Sequence, residues 1–148
     1  MKLPVTEPAV RKTISGIPGL DEVTHGGFPV GRTSIVSGNA GSGKTVLSLQ
    51  SLAYAARHCD EPGIFVAFEE GEHQILANAE SFGWNLPELL PDKLCFLDAR
   101  IVFDVVNSGD FDLGGLLGIL TAKVRSMGAR RIVFDALDVA LDLFDERR

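Results

Sequence analysis

The chain is 148 residues long, the size of one domain, and 45% hydrophobic against 23% charged residues exclude a disordered or fibrous protein. Its 14 basic and 20 acidic residues leave a net charge of −6, which argues against broad electrostatic capture of nucleic acid. No apolar run approaches the roughly 18 residues of a membrane-spanning helix. Cys59 and Cys95, far apart and without metal-ligand spacing, read as buried free thiols in a reducing cytosol.

Residues 1–13, "MKLPVTEPAVRKT", hold Pro4 and Pro8, show no periodicity and lack the apolar centre of a signal peptide, so a flexible leader is expected there. "ISGIPGLDEVTHGGFPVGR" follows, a turn-rich stretch punctuated by glycine and proline. The apolar "TSIVSG" predicts a first core strand over Thr33 to Gly38. After Lys44, Leu49, Leu52, Ala53 and Ala56 recur at helical spacing until Pro62 and Gly63 break the pattern. "GIFVAFEE" reads as a buried strand that ends on two acids.

"EHQILANAESFG" predicts a helix stopped by Gly83, and "KLCFLDA" a third strand. A Gly-containing loop through "NSGDFDLGG" leads to a helix whose Leu113, Leu116, Leu117, Leu120, Val124 and Met127 share one face, closed by Gly128. The fourth strand is "RRIVFDAL", and Leu137, Leu141 and Phe144 suggest the start of a further helix. Apolar strands alternating with helices imply an α/β fold, a mostly parallel sheet covered on both faces.

The segment between the first strand and the first long helix carries the strongest chemical signal. Gly38, Asn39, Ala40, Gly41, Ser42, Gly43, Lys44 and Thr45 fit the G-x-x-x-x-G-K-[ST] phosphate-loop pattern. Glycines let the backbone turn successive N–H groups inward as an anion nest, and a helix beginning at Lys44 adds its positive dipole end. Lys44 would neutralise the β- and γ-phosphates, and the Thr45 hydroxyl would bind Mg²⁺. A chance glycine-rich turn is the competing reading; a strand before and a helix after favour ATP.

Asp135 ends the strand "RIVFD" and is the candidate acid on the metal side, against an alternative role as a helix N-cap. No glutamate follows it; Ala136 does. Glu69 and Glu70, leaving the second strand, are therefore the candidates for aligning the attacking water, against a solvated pair that opens the next helix. His25, His58 and His73 share no ligand spacing. Phe82 and Trp84 read as packing at a helix end, with a base contact as the sharper alternative. Arg130 and Arg131 read as surface cations, with a subunit contact as the sharper alternative.

With these pieces assembled, "ISGIPGLDEVTHGGFPVGRTSIVSGNAGSGKT", "DEPGIFVAFEE", "NAESFGWNL" and "ARRIVFDAL" resemble the KaiC family of RecA-like ATPases, closest to the N-terminal ATPase domain of its clock members and their homologues. The resemblance runs from residue 14 to about residue 137, and it implies that 14–148 form the N-terminal portion of such a domain. It implies that Gly41 to Val46 wrap the phosphates, that Glu69 and Glu70 are the catalytic glutamates, that Ser81 lies near the nucleotide, and that Thr45 and Asp135 hold Mg²⁺. It further implies a cytoplasmic hexameric ring with ATP between subunits, Kai-type protein partners, and tandem domains of which one is a serine/threonine autokinase. The family domain continues past "DALDVALDLF", with a strand between the phosphate-loop strand and the Asp135 strand; a truncated or excised piece is therefore the expectation. A DNA-directed RecA-like motor and a non-catalytic assembly module stand as the competing functions.

Overall fold

The computed structural model describes residues 10–100, 113–139 and 141. Its centre is a parallel sheet of three strands, β3 (Gly63–Ala67), β4 (Leu94–Asp98) and β5 (Arg131–Asp135), in the order β4-β3-β5. A short antiparallel ribbon of β1 (Lys12–Thr13) and β2 (Phe28–Pro29) precedes it. Lys12 and Thr13, expected in the leader, are thus paired. The helices are α1 (Leu20–Val23), α2 (Lys44–His58), α3 (Glu72–Ala79) and α4 (Leu113–Met127).

β3 is buried at every residue because it lies between two neighbours and between two helical layers. On one face Phe65 and Ala67 pack with Leu49, Leu52, Ala53 and Ala56 of α2 and with Ile75 and Ala79 of α3. On the other, Ile64 and Val66 meet Leu116 and Leu120 of α4. The helical spacing read in α2 therefore marks its buried stripe. Each such leucine, isoleucine or phenylalanine stabilises the fold by about 1.5–3 kcal/mol. α4 differs in one respect: Leu117, expected on its apolar face, is exposed.

Helix ends follow the glycine signals. Gly83 (φ 68°) closes the 3-10 turn Glu80–Phe82 that continues α3, and Gly128 (φ 66°) follows α4. Residues 137–139 and 141 are helical, while Phe144 and most of the loop before α4 lie outside the described residues.

The strand expected over Thr33 to Gly38 does not form; this segment has no regular structure and every residue of it is exposed, Ile35 at 88% and Val36 at 43%. An apolar strand needs a ladder partner for its N–H and C=O groups, and among the described residues none pairs with it. The outer edge of β5 is open on the same terms, with Ile132 and Phe134 about two-fifths exposed (40% and 41%).

Arg131 corrects the expectation of a surface cation. Its side chain is 11% exposed, and the guanidinium donates to Glu61 Oε2 (2.7 Å), Ser51 Oγ (3.2 Å), Thr13 Oγ1 (2.7 Å) and the Ile14 carbonyl (2.8 Å). One side chain thus ties the ribbon, α2 and β5 together at the amino end of the sheet. Asp21 organises the preceding turn, its carboxylate accepting the N–H groups of Ser15 (2.7 Å) and Gly16 (3.1 Å). Cys59 and Cys95 are free but only half-buried; burial pushes the Cys95 thiol up, against the opposing pull of Lys123.

Candidate functional site

The phosphate-loop pattern lies at the carboxyl edge of the sheet, immediately before α2. Gly41 (φ 78°) and Gly43 (φ 87°) hold left-handed backbone that side chains resist, and a Cβ on Gly38 would stand 2.5 Å from Ser42 Oγ. The glycines therefore have two separate causes, dihedral angle and space. Within the loop, the Ser42 N–H donates to the Asn39 carbonyl at 3.1 Å and closes a tight turn. Lys44 curls back over this turn, its Nζ donating to the carbonyls of Gly38 (2.7 Å) and Asn39 (3.2 Å).

α2 opens at Lys44, with Gly43 as its cap and no acidic residue in its first turn. The first turn itself thus adds no negative side chain to its N-terminal amides and dipole, an arrangement suited to anions. Ala40 to Gly43 are exposed, so a ligand reaches the loop from solvent.

Thr45, one residue into α2, donates its hydroxyl to Asp135 Oδ2 at 2.9 Å. The contact joins the start of the loop helix to the end of β5. Two hard oxygens at this separation match adjacent corners of an octahedron with bonds of about 2.1 Å, as Mg²⁺ requires. No group of three or more His, Cys, Asp or Glu that could hold a metal occurs among the described residues. A cation here would complete its shell with water and ligand oxygens. Ala136 (φ 62°) turns the chain sharply after Asp135.

Glu69 and Glu70 leave the same edge on the neighbouring strand, two and three residues beyond Ala67, which is registered to Asp135. Both are exposed. Asn78 of α3 donates to Glu70 Oε2 at 3.3 Å, drawing that carboxylate towards the helix.

Ser81 sits in the 3-10 turn Glu80–Phe82 that continues α3. Nearby Asn85 accepts from Arg57 at 3.0 Å, and Arg57 lies about 20 Å along α2 from Lys44. Phe82 and Trp84 stack on each other, centroids 4.7 Å apart, with Trp84 against the α2–α3 core.

Asp98 and Arg100 escaped the sequence reading. Asp98 ends β4 and is registered to Ala67 on the side opposite Asp135. "CFLDA" and "IVFDA" share an apolar strand that ends in Asp-Ala, a signal that could have drawn attention to it.

The KaiC ATPase family model matches residues 13–147. The chain belongs to the KaiC ATPase family. It is 44% identical over 142 residues to the circadian clock oscillator protein KaiC of Parasynechococcus marenigrum (strain WH8102), covering 95% of this chain and 28% of that protein. The KaiC of Prochlorococcus marinus (strain MIT 9313) is 43% identical, over 92% of this chain and 28% of its own length. KaiC 1 of Synechocystis sp. (strain ATCC 27184 / PCC 6803 / Kazusa) is 41% identical over 95% and 28%. The chain thus spans little more than a quarter of these KaiC proteins. Its parallel sheet, flanked by helices, is consistent with part of the α/β RecA-like ATPase fold, and the KaiC family assigns it nucleotide binding. No helix among the described residues is long and apolar enough to cross a membrane.

Proposed function

We propose that residues 14–148 form the nucleotide-gripping portion of a KaiC-type domain that binds and hydrolyses ATP. The observation that carries this reading is the Thr45–Asp135 contact beside a phosphate loop whose lysine is already folded over it. Gly38 to Val46 cradle the phosphates. On binding, the Lys44 ammonium exchanges the Gly38 and Asn39 carbonyls for phosphate oxygens, a gain in charge complementarity. Thr45 and Asp135 would hold Mg²⁺, which would supply neutralisation of charge developing on the phosphates.

Hydrolysis requires a water whose oxygen bonds to the γ-phosphorus while the bond to the β–γ bridging oxygen breaks and ADP leaves. Glu69 and Glu70, at the next strand exit, are the groups that orient this water and accept its proton. Ser81, in the turn after α3, is the further residue beside the nucleotide, as the family resemblance implies. In the whole protein the domain works in a cytoplasmic hexameric ring, as a timer or signalling ATPase with Kai-type partners and an associated serine/threonine autokinase activity. The clock role that its relatives' names carry, and their closeness to this chain, support that reading.

The exposure of Glu69 and the engagement of Glu70 by Asn78 favour a second reading, a module in which ATP stabilises assembly without being cleaved. Phosphate release separates the two. Wild type should exceed Glu69→Gln/Glu70→Gln by at least about a hundredfold, the usual scale for a general base. Equal rates, with ATP still bound, would leave the assembly module. Salt-sensitive binding of single-stranded DNA would instead support a DNA-directed ATPase.

A further inference from the structure

A second charged pair stands on the same sheet edge as the loop and its acids. Arg100 folds back onto Asp98: Nε donates to Oδ1 at 2.9 Å, Nη2 to Oδ2 at 2.6 Å, and the Arg100 backbone N–H to Oδ1 at 3.1 Å. Pairing through both teeth of the fork fixes the plane of the guanidinium. The Nη2 end of the fork lies against Gly71. A Cβ on Gly71 would stand 2.5 Å from Nη2, 3.4 Å from Cζ and 3.7 Å from Asp98 Oδ2.

Gly71 has φ −79° and ψ 159°, extended backbone that any residue adopts. The close approach of the guanidinium, and not the turn, is thus what a side chain at this position would disturb. Gly71 follows Glu70 directly and caps α3. On the helix side, Asn78 holds the Glu70 carboxylate. Gly71 thus stands against the Arg100 guanidinium at the exit of β4, while Glu70 before it is held from α3. Ion pairs this exposed (side chains 43% and 21%) contribute little to stability, so their consequence is position.

We infer that Arg100, oriented by Asp98, is a positioning residue that sets the Glu69–Gly71 bend against the phosphate loop. The inference rests on the ATP-hydrolysing reading above and adds a group to it. Arg100 touches no substrate; it acts through the backbone that carries the two glutamates. A shift of about 1 Å in such a group costs up to about a hundredfold in rate.

The test uses the 148-residue chain and the variants Arg100→Ala, Arg100→Lys, Gly71→Ala and Arg100→Ala/Gly71→Ala. ATP retention, steady-state phosphate release and hydrogen exchange of amides 69–72 are measured on each. Arg100→Ala and Gly71→Ala should each lower kcat about tenfold with KM within about twofold, and speed exchange at the bend. Arg100→Lys keeps the charge but not the planar fork and should fall between wild type and Arg100→Ala. The double variant should be no worse than Arg100→Ala, because removing the guanidinium removes the clash. Unchanged exchange and kcat in Arg100→Ala would overturn the inference, as would additive losses in the double variant. If wild type binds ATP without releasing phosphate, the exchange result alone decides, in the same two directions. A wild-type chain that retains no ATP would overturn the underlying nucleotide reading and this role with it, whereas retained ATP with an unmoved bend overturns the brace alone.

Discussion

The Thr45 hydroxyl and the Asp135 carboxylate meet at 2.9 Å across 90 residues of sequence. This contact joins the first turn of the loop helix to the end of an outer strand of the sheet, β5.

Thr45→Ala and Asp135→Asn should therefore weaken the Mg²⁺-dependent part of ATP binding while sparing binding measured in chelator. Each loses about tenfold, the scale of one hydrogen bond to a charged group. Calorimetric titration with and without Mg²⁺ checks this. Equal losses under both conditions would show that the pair serves packing alone.

Arg131→Ala should destabilise the chain by about 2–3 kcal/mol, because it leaves Glu61, Ser51, Thr13 and the Ile14 carbonyl short of one shared donor. The urea midpoint should fall with an unchanged slope. Arg131→Lys should recover little, since a point charge cannot reach four acceptors arranged around a planar fork.

Asp21 gives the fold a pH dependence. Desolvation pushes its carboxyl up, but the Ser15 and Gly16 N–H groups, the Ser15 hydroxyl and the charge of Arg131 together leave it below the ordinary value of 3.8. A depressed carboxyl contributes stability that is present above its unfolded value and lost as pH falls through the folded one. Wild type should lose this contribution on acidification below 3.8, and Asp21→Asn should lack it throughout. Denaturation midpoints followed down that range test the sign.

Much of this was legible in the chain. The spacing of Leu49, Leu52, Ala53 and Ala56 gave the buried face of α2, and the uninterrupted apolar run from Gly63 to Ala67 gave a strand covered on both sides. Gly38, Gly41 and Gly43 marked the loop because its dihedral angles and close approach admit nothing larger. Thr33 to Gly38 misled because strand formation depends on a neighbour, and β-propensity alone supplies none. Arg131 misled because two adjacent arginines look alike in sequence, while only one turns towards Glu61. The role of Arg100 was invisible, since it depends on which strand lies beside β3.

Equilibrium binding of ATP with Mg²⁺ to this chain and to Lys44→Ala tests the central claim most directly. One saturable site per chain is expected, weakened by about thirtyfold or more in the variant through loss of a charge-assisted contact. Absence of binding, or equal affinity in both proteins, would contradict it.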